Sequence, residues 1–216
     1  MNKPNIVIVD YGMGNIRSVH NALVRMGGKV ITSQEPRLIE KADALVLPGV
    51  GAFGEAMSNL ASLNLINPII NAAKKEAKPL LGICLGMQLL ADSSEERGVS
   101  KGLSLIDGHV ELISVSSDFR LPHIGWNSIS ICNKEPLFNH LQDDDCFYFV
   151  HSFQFNCNDN DISATTDYDG QIVAAVQCDN IFGLQFHPER SQSKGMRLLG
   201  NFIEYVNQSY KGDAPC

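Results

Sequence analysis

Short apolar runs set apart by helix-patterned segments constrain the first half of this chain more than any other feature. NIVIVD (5–10) is followed by NIRSVHNALVRMGG, with apolar positions at helical spacing. Then come KVITS (29–33), ADALVLPG (42–49), a helical region around 53–77 and the apolar run PLLGICLG (79–86). Strands that alternate with helices need crossover connections, which place helices on both faces of a mainly parallel sheet. The expectation is therefore an α/β fold.

From about residue 105 the pattern changes. HVELISVS, WNSISI, CFYFVHSFQF, DISATTDY, QIVAAVQC and IFGLQF read as strands, with turns at Asp169-Gly170 and Asp179-Asn180. SKGMRLLGNFIEYVNQ (193–208) has Met196, Leu199, Phe202, Ile203 and Val206 at helix spacing, so it should pack back on the sheet. A length of 216 residues suits one domain, expected over 1–210, with KGDAPC (211–216) as a disordered tail.

Composition excludes some functions. A net charge of −7 argues against a nucleic-acid or anionic-membrane partner, since such binders carry a basic face. With no targeting pattern and no apolar run of membrane-spanning length, the chain is expected to be cytoplasmic. Cysteines 84, 132, 146, 157, 178 and 216 form no CxxC pair and no short His/Cys spacing. Reduced thiols, no metal site and no cofactor are expected.

Three motifs carry chemistry. In GICLG (82–86) a cysteine stands between two glycines, after a buried strand and before a helical run, MQLLADSSEE. This is the nucleophile-elbow pattern with cysteine in place of serine: a strained turn exposes the nucleophile, and glycines remove Cβ atoms that would collide. A helix N-terminus there would favour thiolate. The competing reading is that Cys84 is a small buried hydrophobe, as free cysteines often are.

GLQFHPERS (183–191) provides a base. Residues two apart in an extended segment face the same way, so His187 and Glu189 can align, with Pro188 restricting the backbone. Cys84, His187 and Glu189 then make nucleophile, base and orienter. His151 competes as base but has no carboxylate two residues away. The third motif, Gly49 to Gly54 in LPGVGAFGEAM, formally matches a dinucleotide loop, yet no acid ends a second strand about 20 residues on. The alternative use of such a turn is to aim backbone N–H groups at an oxyanion.

Taken together, DYGMGN (10–15), LPGVGAFGEAM (47–57), GICLGMQLL (82–90), LPHIGWN (121–127), YFVHS (148–152) and GLQFHPERS (183–191) resemble the class I glutamine amidotransferases. They are most similar to the glutaminase subunits of imidazole glycerol phosphate synthases. The resemblance implies a three-layer α/β/α, flavodoxin-like fold with extra antiparallel strands in the C-terminal half. It also implies glutamine hydrolysis through Cys84, His187 and Glu189. Gly49, Val50, Gly51 and the Leu85 amide would serve the oxyanion, while Gln88, Glu96 and Ser152 would border the substrate L-glutamine.

The implied partner is a (βα)8-barrel cyclase subunit of imidazole glycerol phosphate synthase, forming a heterodimer and taking up the ammonia for histidine biosynthesis. Asn15, His123, Trp126, Asn127 and Arg190 would face it. Two positions depart from the pattern: Phe153 stands where relatives often have tyrosine, and Arg190 where lysine is common. Three other readings stay open. One is a paralogue supplying ammonia for amidino-sugar formation in surface polysaccharides; the others are a stand-alone cysteine peptidase or deglycase, and a non-catalytic binding module.

Overall fold

The computed structural model describes residues 3–210, so the expected tail at 211–216 lies outside the described residues. In chain order the first half runs β1 (Asn5–Val9), α1 (Ile16–Arg25), β2 (Lys29–Ser33), α2 (Pro36–Glu40) and β3 (Ala44–Gly49). It continues through α3 (Phe53–Ser62), α4 (Ile66–Ile70), a π-helical turn at Asn71–Lys75, β4 (Leu80–Cys84) and α5 (Leu85–Gln88). Next come β5 (Ser93–Ser94), β6 (Ser100–Lys101), β7 (Gly108–Leu112), β8 (His123–Ser128), β9 (Ser130–Ile131), β10 (Cys146–His151) and β11 (Phe153–Cys157). The chain closes with β12 (Ile162–Asp167), β13 (Gln171–Cys178), β14 (Ile181–Leu184) and α6 (Gln192–Ser209).

The main sheet has eight strands in the order β2-β1-β3-β4-β14-β13-β12-β9. β2, β1, β3, β4 and β14 run parallel to one another, and the β14-β13, β13-β12 and β12-β9 pairings are antiparallel. Strand periodicity separates its two faces. Ile6, Ile8, Val46, Leu81 and Ile83 point to one core with Leu23 of α1 and Leu198, Leu199 and Phe202 of α6. Val7, Val9, Leu45, Leu47 and Leu80 point to a second core with Phe53 and Leu60 of α3 and Ile69 of α4. The central strands β3 and β4 are buried at every position, which is why their sequences are unbroken apolar runs, whereas the edge strand β2 is largely exposed. No helix among the described residues is long and apolar enough to cross a membrane.

Two expectations need correction. The run MQLLADSSEE does not continue as a helix: α5 ends at Gln88, because Ser93 and Ser94 pair with β6 and β7. CFYFVHSFQF is two strands, broken at Ser152, where the chain changes sheets: β10 pairs with β8, and β11 with β7 in a four-stranded sheet β11-β7-β5-β6. That break and the C-terminal ends of β3, β4 and β14 converge on one cavity.

Candidate active site

Cys84 ends β4 with φ 54° and ψ −113°, a conformation that side chains rarely adopt and that costs roughly 1–3 kcal/mol. The sharp turn is possible because Gly86 packs directly on β3, where a Cβ would lie 1.7 Å from the Leu47 carbonyl oxygen. Cys84 is only 7% exposed, but it lines a cavity of about 300 Å³ with Val50, Gly51, Leu85, Gln88, Glu96, His151, Ser152 and His187. The strain and the cavity favour the elbow reading over a plain core residue. Since α5 has only four residues, its dipole contributes little here, and the expected help from a long helix is absent.

His187 follows β14 and is fixed on several sides. Its N–H donates to the Tyr148 carbonyl at 2.9 Å, and its own carbonyl accepts from the Ser191 hydroxyl at 2.6 Å. The same hydroxyl accepts the Tyr148 N–H at 3.0 Å. Nδ1 lies 2.9 Å from Glu189 Oε1, both side chains being almost wholly buried. Local geometry differs from the expected extended segment: Pro188–Arg190 form a 3₁₀ turn, which folds Glu189 back onto the ring. His187 Nε2 is buried without a hydrogen-bond partner. Burial lowers the His187 pKa, but interactions with Cys84 and Glu189 outweigh it and raise the value to about 10.

His151 shares the cavity but is arranged otherwise. Its Nδ1 lies 2.9 Å from the Phe153 carbonyl oxygen and its Nε2 lies 3.0 Å from His123 Nδ1, so no ring nitrogen remains for Cys84. Burial chiefly lowers its pKa to about 4.

The remaining expected residues divide. Gly49 stands in register with Cys84 across β3 and β4, beside the Tyr11 hydroxyl, which donates to the Pro48 carbonyl at 2.8 Å. Val50 and Gly51, the latter with φ 100°, continue the turn along the cavity rim. Leu85 opens α5, where the first N–H groups lack helical partners. Glu96 Oε2 accepts the Phe53 N–H at 2.7 Å, which anchors this carboxylate at the start of α3. Ser152 sits at the break between sheets, on the cavity wall.

On β8, Ile124 and Trp126 point outward and are 58% and 49% exposed. Trp126 lies edge-on to Tyr148, and the exposed Arg190 guanidinium lies 5.9 Å from the Tyr148 ring centre. His123 departs from the expected surface position. Strand alternation turns it inward, where it stacks on Tyr168 and Phe149 and is 3% exposed. Asn127 turns the same way and donates to the Asp167 carbonyl at 2.8 Å. Asn15 caps α1 through its carbonyl, which accepts the Val19 N–H, and does not line the cavity.

Gln185 was not singled out by the motifs. It is fully buried, with Nε2 3.9 Å from the Cys84 sulfur and Oε1 accepting from Gln88 Nε2 at 3.0 Å. The available signal was a lone amide inside the apolar strand IFGLQF, immediately before the base. Among the described residues no group of His, Cys, Asp and Glu could hold a metal ion.

The family model described as Glutamine amidotransferase class-I matches residues 7–205. The chain is 48% identical to the imidazole glycerol phosphate synthase subunit HisH 2 of Vibrio vulnificus (strain YJ016), covering 93% of this chain and 94% of that protein. It is 46% identical to the subunit HisH 2 of Methanococcus maripaludis, covering 92% and 98%. The solved structure of a glutamine amidotransferase from Thermotoga maritima superposes with a TM-score of 0.68 at 15% identity, covering 96% of this chain and 100% of that one, a likeness of fold alone.

Proposed function

The chain belongs to the class I glutamine amidotransferase family, and from that premise we propose that it is the glutaminase subunit of an imidazole glycerol phosphate synthase. The observation that carries the reading is the buried His187–Glu189 pair, 2.9 Å apart, with its free nitrogen on the cavity that holds Cys84.

In the reaction the Cys84 thiolate attacks the side-chain carbonyl carbon of glutamine. His187, carrying the proton, gives it to the departing nitrogen as the C–N bond breaks, so that ammonia leaves and a γ-glutamyl thioester remains. Neutral His187 then takes a proton from water as the water attacks the thioester. Glutamate leaves, and the sulfur recovers the proton or stays as thiolate beside the imidazolium. The raised pKa of His187 suits this pairing of imidazolium and thiolate. Glu189 holds the ring by its Nδ1–H. The Leu85 amide and the Gly49–Gly51 turn serve the oxyanion, where each well-placed donor is worth about 100-fold in rate. Gln88, Glu96 and Ser152 bind the substrate's polar ends.

Ammonia released into water would be protonated, so a second subunit must receive it. We assign that role to a (βα)8-barrel cyclase subunit in a cytoplasmic heterodimer, docking on Ile124, Trp126, Tyr148 and Arg190, with Asn15 at the same end of the sheet. Ile124, Trp126 and Tyr148 lie on β8 and β10, while Pro122, just before β8, and Val150 of β10 line the cavity, so docking and substrate binding are neighbours.

A second acceptor, amidino-sugar formation, would use the same glutaminase chemistry with a different synthetase partner. Glutamate release by the purified chain, alone and with the cyclase subunit plus its ribonucleotide substrate, separates the two. Strong stimulation supports the imidazole-forming acceptor. A stable complex without stimulation rejects it in favour of the second acceptor.

A further inference from the structure

One row of hydrogen bonds has no part in the chemistry above and ends beside the substrate cavity. Because a carbonyl can only accept, His151 Nδ1 must donate to the Phe153 oxygen, 2.9 Å away. A neutral His151 then offers Nε2 as an acceptor, so His123 Nδ1, at 3.0 Å, carries its own proton. His123 Nε2 is left to accept from Asn127 Nδ2 at 3.3 Å. Each tautomer is thus set by the Phe153 carbonyl at one end. Burial lowers the pKa of both rings to about 4, so the pair is neutral at neutral pH.

The Phe153 carbonyl takes a second donor, Gln88 Nε2, at 3.1 Å. The other hydrogen of that nitrogen goes to Gln185 Oε1 at 3.0 Å. With both amide hydrogens used, Oε1 is the atom Gln88 has left to offer an N–H of a ligand in the cavity, and reversing the amide would set two oxygens against each other at Phe153.

We propose that His123 and His151 are positioning residues for glutamine binding: they hold the Phe153 carbonyl, which fixes Gln88 with its amide oxygen toward the substrate. The inference rests on the glutaminase reading. Neither ring touches the reacting atoms, so its effect falls on KM more than on kcat.

The test uses the complete complex and two variants. His123→Phe keeps the stacking on Tyr168 and Phe149 but has no nitrogen; His123→Asn keeps a donor near the position of Nδ1. The expected result is a KM for glutamine raised about tenfold in His123→Phe with kcat within about twofold, and a KM within about threefold of the parent in His123→Asn. Equal KM values in both variants, or a fall in kcat at unchanged KM, would overturn the proposal. Nitrogen-15 NMR of histidine-labelled parent protein gives a readout independent of activity. Both His123 and His151 should show the Nδ1–H tautomer at neutral pH, whereas an Nε2–H tautomer on His151 would overturn the row. If the parent complex released no glutamate, the glutaminase reading would fail, and the NMR result would still decide the tautomers.

Discussion

His187 and His151 stand on one cavity, the first shortly after β14 and the second at the end of β10, and their surroundings push them in opposite directions. His187 has a carboxylate on one nitrogen and a thiol near the other, and its pKa is raised to about 10. His151 has a backbone carbonyl on one side and a neutral imidazole on the other, and burial lowers its pKa to about 4. Burial acts against the charged form in both; only His187 has acidic partners that reverse it. A histidine in an active-site cavity therefore acquires its role from what its two nitrogens face, and one ring here is favoured in its charged form while the other stays neutral and keeps the wall in order.

Substitutions should separate the two histidines by the size of their effects. Cys84→Ala and His187→Asn should each lower glutamine-dependent turnover on the order of 10⁵-fold, while synthesis from added ammonium salt by the complex survives. Steady-state assays with each nitrogen source check this. Glu189→Gln should cost on the order of 10³-fold in kcat, because an amide can hold the ring in the wrong orientation and cannot stabilise the imidazolium. His151→Phe should cost only about tenfold, mainly in KM, because it removes a positioning group that the chemistry does not use. A loss as large as that of His187→Asn would erase the distinction between the two histidines.

The smallest effect is on stability against pH. Lowered pKa values mean that His123 and His151 stay neutral when folded, while in the unfolded chain they protonate below about 6.5. Their contribution is present above that pH and is lost as pH falls toward 4. For His187 the sign is reversed: its contribution is complete below about pH 6.5 and is lost as pH rises toward 10. Urea unfolding should thus give a stability maximum between the two limbs. His123→Phe should flatten the acid limb by about 1 kcal/mol and Glu189→Gln the alkaline limb by a similar amount.

Much of the fold is legible in the sequence because β3 and β4 are covered on both faces and so read as unbroken apolar runs. The later strands are legible as strands, but their division among three sheets is not. CFYFVHSFQF contains no Gly or Pro to mark the break at Ser152, which depends on pairing with β7 and β8 earlier in the chain. The end of α5 has the same origin, since Ser93 and Ser94 are drawn into pairing with β6 and β7.

At the site, the proximity of His187 and Glu189 could be read from their spacing, though the 3₁₀ turn that achieves it could not. A motif reading passes over Gln185 and sets His123 on the surface because their partners meet them only in the folded chain, Gln88 and Cys84 for the one, Tyr168 and His151 for the other.

Trapping the acyl-enzyme would show the covalent step at Cys84 itself. The complex would be mixed with glutamine, quenched in acid within the first turnovers, digested and examined by mass spectrometry. A γ-glutamyl adduct is expected on the peptide carrying Cys84, labile to hydroxylamine as a thioester is, and absent in Cys84→Ala. Full glutamate release with an unmodified Cys84, or an adduct on another cysteine, would contradict that covalent step.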